Sequence, residues 1–295
     1  DPEETRIALT FSTKSLYDHL ISLVERFYEQ FSGNRSLDDA AASLDIIHGW
    51  GGRRTGDGIY YRITQELDGV PYRNYDQATA AFPNADDKQE AVAAEVRDAG
   101  EIPTLWDAIL VDEAQDFGPE FLNMCREALT SQNRLIWAYD EAQDLGSLEA
   151  PSPKNLFGTD ENGEPLLDLS GTYKNGPQKT HIMRKSYRAP RSVLMTAHAL
   201  GMGLKRDDGP VQTITRQDGW ENLGYEIDGD FRKIESEAVL TRPSENSPHP
   251  LQGKLSPETL LTHRSFASKA DELDWIAEQI RTDIFEEGLE PEQIL

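Results

Sequence analysis

Apolar and polar positions follow one another along the chain in blocks that predict strands followed by helices. Segments 6–11, 107–111 and 134–139 are short apolar runs, as expected for strands buried on both faces of a parallel sheet. Apolar residues at helical spacing follow two of these runs, over 16–31 and 119–129. Strands that alternate with helices in this way predict a doubly wound α/β fold with a parallel sheet.

The remaining segments are less regular. From 32 to 100 the chain is Gly-rich and aromatic, with a polar helix near 86–99, which predicts an insertion that lies over the sheet. Segments 149–180 and 205–257 are rich in loop-forming residues. The elements predicted beyond residue 180 are a helix over 190–204, a strand over 260–262 and a helix over 269–287.

Two carboxylates stand directly after the apolar run 107–111. They belong to Asp112 and Glu113. Because open α/β sheets bind their ligands at the carboxyl ends of the strands, this pair predicts a metal-nucleotide site. The alternative is an exposed acidic turn, which is common in so acidic a chain. Gln115 and Asp116, directly behind the pair, favour the functional interpretation.

Composition limits the class of protein. The 295 residues can bury a sizeable core, and the net charge is −24. Nucleic-acid binding normally needs a basic surface, but the acids are spread over the whole chain, as in proteins adapted to high salt, so the charge describes the habitat and not the ligand. Cys125 is the single cysteine, which excludes an internal disulfide, and the Cys and His spacing predicts no zinc site. Neither a membrane-spanning run nor a leader is evident, so we expect a cytoplasmic protein without a membrane partner.

Five separated blocks resemble the motifs of the UvrD/Rep-like superfamily 1 DNA helicases, in the order of that family. Residues 10–14 are similar to the strand-end motif that contacts single-stranded DNA, and 47–50 to the Thr/His motif beyond it. Residues 112–116 match the family's Walker B motif and 139–143 match the motif after it. Residues 186–188 match the Tyr-Arg motif that opens the next segment.

The resemblance implies a fold and a domain organisation. The fold is α/β, a RecA-like P-loop NTPase parallel sheet with a helical or irregular insertion, followed by the start of a second RecA-like domain. The first RecA-like domain is expected over 1–31 and 101–180, the insertion over 32–100, and the second domain over 181–295.

One departure from the family concerns the phosphate loop, Gly-x-x-x-x-Gly-Lys-Ser/Thr, which is absent from the sequence. In the family this loop precedes the motif at 10–14 by one helix. We therefore expect it upstream of Asp1, and we expect the motifs of the second domain beyond Leu295, so that the chain is a central fragment.

The resemblance also implies roles in phosphoryl transfer, with ATP and Mg²⁺ as cofactors. Asp112 would hold the metal ion, and Glu113 would orient and deprotonate the attacking water. Gln143 would place an amide near the γ-phosphate with Asp140 beside the nucleotide, and Arg188 would be the arginine finger. The alternatives are a helix start with capping acids around Gln143 and an ordinary surface arginine at Arg188.

DNA contact requires aromatic faces for bases and donors for phosphates. Phe11 is expected to stack a base or line its pocket, and Thr10 or Lys14 to hold a phosphate. His48 and Trp50 lie in a Gly-rich stretch that suits a strand-tracking surface. A core Phe11 and a packed Trp50 are the alternatives.

The function implied by the resemblance is that of an ATP-dependent DNA helicase or translocase. It would couple Mg-ATP hydrolysis to movement on single-stranded DNA or at a duplex junction, and the chain alone is expected to hydrolyse ATP weakly or not at all. The alternative is a non-catalytic scaffold with a helicase fold, which would bind nucleic acid or protein partners in a repair or defence complex.

Overall fold

The chain divides into two compact units, Asp1–Ile182 and Met183–Leu295. We call them unit 1 and unit 2. No helix that the structure describes is both long and apolar enough to cross a membrane. The computed structural model describes residues 5–33, 35–40, 43–52, 57–140, 151–174, 176–204, 206–211, 214–230, 233, 237–291 and 294.

Unit 1 contains a parallel sheet, as the alternation of strands and helices predicted. Its order is β2-β1-β3-β4, with every neighbouring pair parallel. Ile7 of the first strand pairs with Leu44 on one side and Ala108 on the other. The α/β class is therefore confirmed. The strands are β1 Ile7–Phe11, β2 Leu44–His48, β3 Ala108–Val111 and β4 Leu135–Trp137.

Helices cover this sheet and supply most of its core. Ile109 of β3, Val92 and Phe121 are fully buried in one hydrophobic cluster. Cys125 belongs to the same cluster, where it is a buried free thiol. The helices of unit 1 are α1 Tyr17–Ser32, α2 Ile59–Glu66, α3 Tyr75–Ala81, α4 Lys88–Ala99, α5 Pro119–Glu127 and α6 Pro153–Phe157.

Local sequence explains where several of these helices begin. Asn74 and Gln77 form a reciprocal capping box at the start of α3. Asp87 caps α4 by accepting two backbone N–H groups. The first turn of α5 is capped from α4 instead, because the Glu90 carboxylate accepts the backbone N–H of residues 120 and 121 at 2.8 and 3.0 Å. Burial raises the pKa of Glu90 above its ordinary value.

Two differences from the expected elements lie in unit 1. Segment 32–100 contains β2, an edge strand of the sheet, and is therefore not entirely an insertion over it. Segment 149–180 contains α6, whose Leu156 and Phe157 are buried. Both elements are short, so they carry little periodic signal.

Unit 2 is smaller and contains a two-stranded antiparallel sheet. Trp220 and Tyr225 are buried in unit 2. The strand predicted over 260–262 is wrong, because Pro257 and Ser256 begin a short helix there. The elements are α7 Arg191–Gly201, α8 Gln217–Asn222, β5 Glu226–Gly229, β6 Ala238–Thr241, α9 Pro257–Leu260 and α10 Lys269–Phe285.

Candidate functional site

The strand order of the sheet in unit 1 reverses at β1. The chain passes from β1 to β2 on one side and later returns to place β3 on the other side of β1. Ligands of open α/β sheets bind at the carboxyl ends of the strands where the order reverses in this way. Here that place lies between the ends of β1 and β3, where the backbone N–H of Asp112 donates to the carbonyl of Thr10 at 2.9 Å. Asp112 is half-buried directly after β3.

The turn after β3 has an unusual backbone at Glu113. Its φ and ψ are 50° and 52°, and among the described residues it is the one non-glycine with a positive φ. The turn is closed by the N–H of Asp116, which donates to the Glu113 carbonyl at 3.0 Å, and by the N–H of Ala114, which donates to Ala138 at 2.7 Å. A left-handed residue other than glycine costs about 1–3 kcal/mol and is concentrated at functional sites. The fold therefore holds Glu113, the second of the two carboxylates, in a strained backbone conformation.

Gln115 fixes the Glu113 carboxylate. Its side-chain nitrogen donates to Oε2 of Glu113, and its side-chain oxygen accepts the backbone N–H of Asp140 at 3.0 Å. Asp140 is exposed just beyond β4. One amide thus joins the ends of β3 and β4, the two strands that precede the acidic blocks of the sequence. Gln143 lies outside the described residues.

A second set of hydrogen bonds joins the ends of β1, β2 and β3. The hydroxyl of Ser12 donates to Oδ2 of Asp116, and the carbonyl of Ser12 is 2.6 Å from Nε2 of His48. Nδ1 of His48 accepts the backbone N–H groups of Trp50 at 2.9 Å and Gly51 at 3.2 Å. Because Nδ1 accepts, Nε2 carries the ring proton and donates it to Ser12. Burial lowers the pKa of His48, with an opposing effect from the Ser12 carbonyl and a smaller lowering by Lys14.

An aromatic cleft opens beside His48. Its volume is about 1060 Å³. The Trp50 and Tyr75 rings on its wall are 6.0 Å apart, and Tyr75 is 65% exposed. The wall is held by side-chain bonds from Trp50 to the carbonyl of Arg73 and from Tyr72 to the carbonyl of Gly51, both 2.9 Å. Along the cleft lie Lys14, His48, Trp50, Gly51, Gly52, Tyr61, Thr64, Gln65, Val70, Pro71, Tyr72, Asn74, Tyr75, Asp76 and Gln77.

The backbone of this wall requires a close approach between two glycines, Gly51 and Gly58. Gly51 has a φ of +77°, and a Cβ there would lie 2.5 Å from Cα of Gly58. A side chain at residue 51 would therefore push its backbone away from that of Gly58.

The structure separates the predicted nucleic-acid residues into two groups. Lys14, His48 and Trp50 share the cleft. Thr10 and Phe11 are fully buried, and the hydroxyl of Thr10 has no hydrogen-bond partner among the described residues. The buried position of Phe11, whose ring contacts those of Tyr17 and His48, fits the core alternative.

Arg188 lies in unit 2, in an exposed segment just before α7. It forms no ion pair with any other residue that the structure describes. The preceding segment is held by Arg242, which is 2% exposed and donates to the carbonyls of Arg184 and Asn246 at 2.9 and 2.6 Å. Burial lowers the pKa of Arg242. Sequence analysis missed this residue; its only signal is an arginine that directly follows an apolar strand.

The next feature is the grouping of side chains that could bind a metal ion. Among the described residues no group of three or more His, Cys, Asp or Glu side chains is arranged to hold a metal ion. Comparison with models of protein families, with curated proteins and with solved structures gave no match.

Proposed function

We propose that this chain forms part of an ATP-driven motor of the superfamily 1 helicase type, with a RecA-like first unit, that moves on single-stranded DNA. The observation that carries the proposal is the turn after β3. There the strained Glu113 is held by Gln115 at the edge of the sheet where nucleotides bind in open α/β folds. An ordinary solvent-exposed turn gains nothing from a left-handed glutamate with a fixed carboxylate.

Asp112 is the residue that would hold magnesium. A magnesium ion that arrives with ATP needs only one or two protein carboxylates, because phosphates and water supply its other ligands. A half-buried aspartate at the strand end fits that requirement, whereas an all-protein metal site would need the larger cluster that the described residues lack. When bound, the ion neutralises charge on the phosphates.

Glu113 would orient the attacking water and accept its proton. Gln115 keeps one carboxylate oxygen occupied and so leaves the other as the proton acceptor. The resemblance assigns Gln143 to the γ-phosphate, Asp140 to the nucleotide and Arg188 to the charge that develops during transfer. The exposed guanidinium of Arg188 agrees with such a role.

The cleft would bind the DNA strand. Single-stranded nucleic acids are held by aromatic faces that stack bases and by cations that contact phosphates. Tyr75 and Trp50 offer such faces, and Lys14 is the cation among the described lining residues. Because the net charge of −24 opposes contact with phosphates, stacking on the aromatic faces would supply most of this binding.

Calorimetric titration of Mg-ATP into the chain tests the nucleotide half of the proposal. Because residues 1–295 contain no phosphate loop, we expect weak binding, with a Kd of about 1 mM or above. The binding should require Mg²⁺ and weaken in Asp112→Asn. Asp68→Asn, which changes an exposed turn residue, is the matched control.

Phosphate release in the presence of single-stranded DNA tests the catalytic half. Turnover should be weak or absent, and any that occurs should stop in Glu113→Gln. Turnover that persists in Glu113→Gln would contradict the role of Glu113. Strand binding without magnesium-dependent nucleotide binding would instead favour the scaffold alternative.

A further inference from the structure

We propose that Ser12 and His48 are positioning residues that couple occupancy of the aromatic cleft to the conformation of the Glu113 turn. This inference rests on the proposed function, because it assumes that the cleft takes a DNA strand and that Glu113 acts on ATP. The two places are joined by a continuous series of hydrogen bonds through Ser12 and His48.

The first link runs from the cleft wall to His48. The backbone N–H groups of Trp50 and Gly51 both donate to Nδ1 of its ring, at 2.9 and 3.2 Å. A base that stacks on Trp50 would press on this segment of backbone. Since both N–H groups end on one nitrogen atom, a shift of the wall moves or reorients the imidazole.

The second link runs from His48 to the end of β1. Nε2 of His48 donates to the Ser12 carbonyl at 2.6 Å, and the same residue's hydroxyl donates to the Asp116 carboxylate. Ser12 therefore holds both neighbours at once, with its backbone toward β2 and its side chain toward the turn after β3. A hydrogen bond to an ionised carboxylate is about twice as strong as one between neutral groups.

The third link closes on the catalytic turn. The N–H of Asp116 donates to the carbonyl of Glu113 at 3.0 Å, and this bond closes the turn in which Glu113 is left-handed. A strained residue persists only where its surroundings fix it. Loss of the Ser12 bond frees the Asp116 side chain and removes one of the constraints on Glu113.

The backbone also connects these strand ends, since Gly49 donates to the Phe11 carbonyl at 2.9 Å and Asp112 to that of Thr10 at 2.9 Å. These ladder bonds hold the sheet together in any variant. Removal of the Ser12 hydroxyl therefore tests the side-chain route alone.

Hydrogen exchange of the backbone amides over residues 112–118, followed by mass spectrometry, reads the coupling without ATP turnover. The probe is an oligodeoxythymidylate of about 12 nucleotides, a length within the usual site size for single strands. In the wild-type chain we expect saturating strand to slow this exchange by about fivefold or more, the lower end of typical coupling between sites. Ser12→Ala should lose most of that slowing when it is measured at a strand concentration that saturates the variant.

Two further variants separate positioning from general loosening. Ser12→Thr keeps a hydroxyl and should restore the slowing. Ser170→Ala removes another serine–aspartate bond of unit 1, 2.6 Å long and formed with Asp168, and should leave the slowing unchanged.

Four results would overturn the coupling: equal slowing in Ser12→Ala and wild type, strand binding without slowing in the wild type, no restoration by Ser12→Thr, or no strand binding at all. None of these decides the proposed nucleotide site, because the Mg-ATP titration is performed without DNA. Conversely, intact coupling with no nucleotide binding would contradict the ATP-driven motor. The coupling between the aromatic cleft and the Glu113 turn would then still be supported.

Discussion

The side-chain oxygen of Gln115 accepts the backbone N–H of Asp140 at 3.0 Å, across the ends of β3 and β4. The nitrogen of the same amide donates to the Glu113 carboxylate. Gln115 therefore sets the distance between two acidic segments that lie far apart in sequence, and it does so with a neutral group between them. A carboxylate at this position would repel Glu113 and could not donate to it.

Gln115→Ala should lower the free energy of unfolding of unit 1 by about 1–2 kcal/mol, because two hydrogen bonds are lost at a half-buried position. Urea denaturation followed by circular dichroism measures this change. Gln178→Ala, at an exposed position of the same unit, should change stability by less than about 0.5 kcal/mol. Equal effects of the two substitutions would contradict the bridging role.

Gly224→Ala should destabilise unit 2 far more than Gly209→Ala, although both glycines are left-handed, with φ of +83° and +86°. A Cβ at 224 would lie 2.5 Å from the Arg184 carbonyl and 2.7 Å from Nη1 of Arg242, whereas a Cβ at 209 meets nothing within 4 Å. We expect a cost of about 1–2 kcal/mol at 209 from the backbone alone. At 224 the clash adds to it and disturbs a buried arginine. Denaturant midpoints of the two variants, compared with wild type, decide this.

The stability of unit 1 should fall as the pH drops below about 6.5, the ordinary pKa of a histidine. Burial lowers the pKa of His48 in the folded chain, so the unfolded chain takes up a proton first and folding loses free energy from there downward. The loss occurs because burial disfavours the charged form of the ring. A protonated ring could also no longer accept the N–H groups of Trp50 and Gly51.

His48→Gln should remove this part of the pH dependence, while the exposed His263→Gln should retain it. Unfolding free energies measured between about pH 5 and pH 8 provide the comparison, since histidine is the side chain that ordinarily titrates there. An unchanged slope in His48→Gln would show that another group is responsible.

Tyr75→Ala should weaken binding of an oligodeoxythymidylate by about tenfold, because stacking one base on an aromatic ring is worth about 1–3 kcal/mol. Tyr75→Phe keeps the ring and should bind like wild type. Tyr173→Ala, which removes another exposed tyrosine of unit 1 that does not line the cleft, is the control. Fluorescence anisotropy of a labelled strand gives the affinities; equal loss in both alanine variants would argue against the cleft.

Several features could be predicted because they are local. The apolar run before Asp112 predicts a buried strand, and the structure has β3 at Ala108–Val111. Helices α1 and α5 follow from apolar residues at helical spacing.

Other features were missed because their signal is weak or distant. β2 is five residues long and two of these, Asp45 and His48, are polar, so only its pairing with β1 identifies it. The cleft depends on several tyrosines, but nothing local in the sequence indicates that Tyr61, Tyr72 and Tyr75 line one cleft together with Trp50. The same is true of Arg242, whose partners come from segments 184, 223 and 246–247.

The sequence by itself determined that the chain is α/β, with strands alternating with helices and two carboxylates placed directly after a buried strand. Periodicity and the chemistry of neighbouring residues are sufficient for that, since both act over a few positions. Only the tertiary structure decided that β1 lies between β2 and β3, that Phe11 is buried, and that Ser12 and Gln115 join four strand ends. These features depend on which distant segments pack together. One hydrophobic pattern is compatible with many packings, and the strand order then determines which side chains become neighbours.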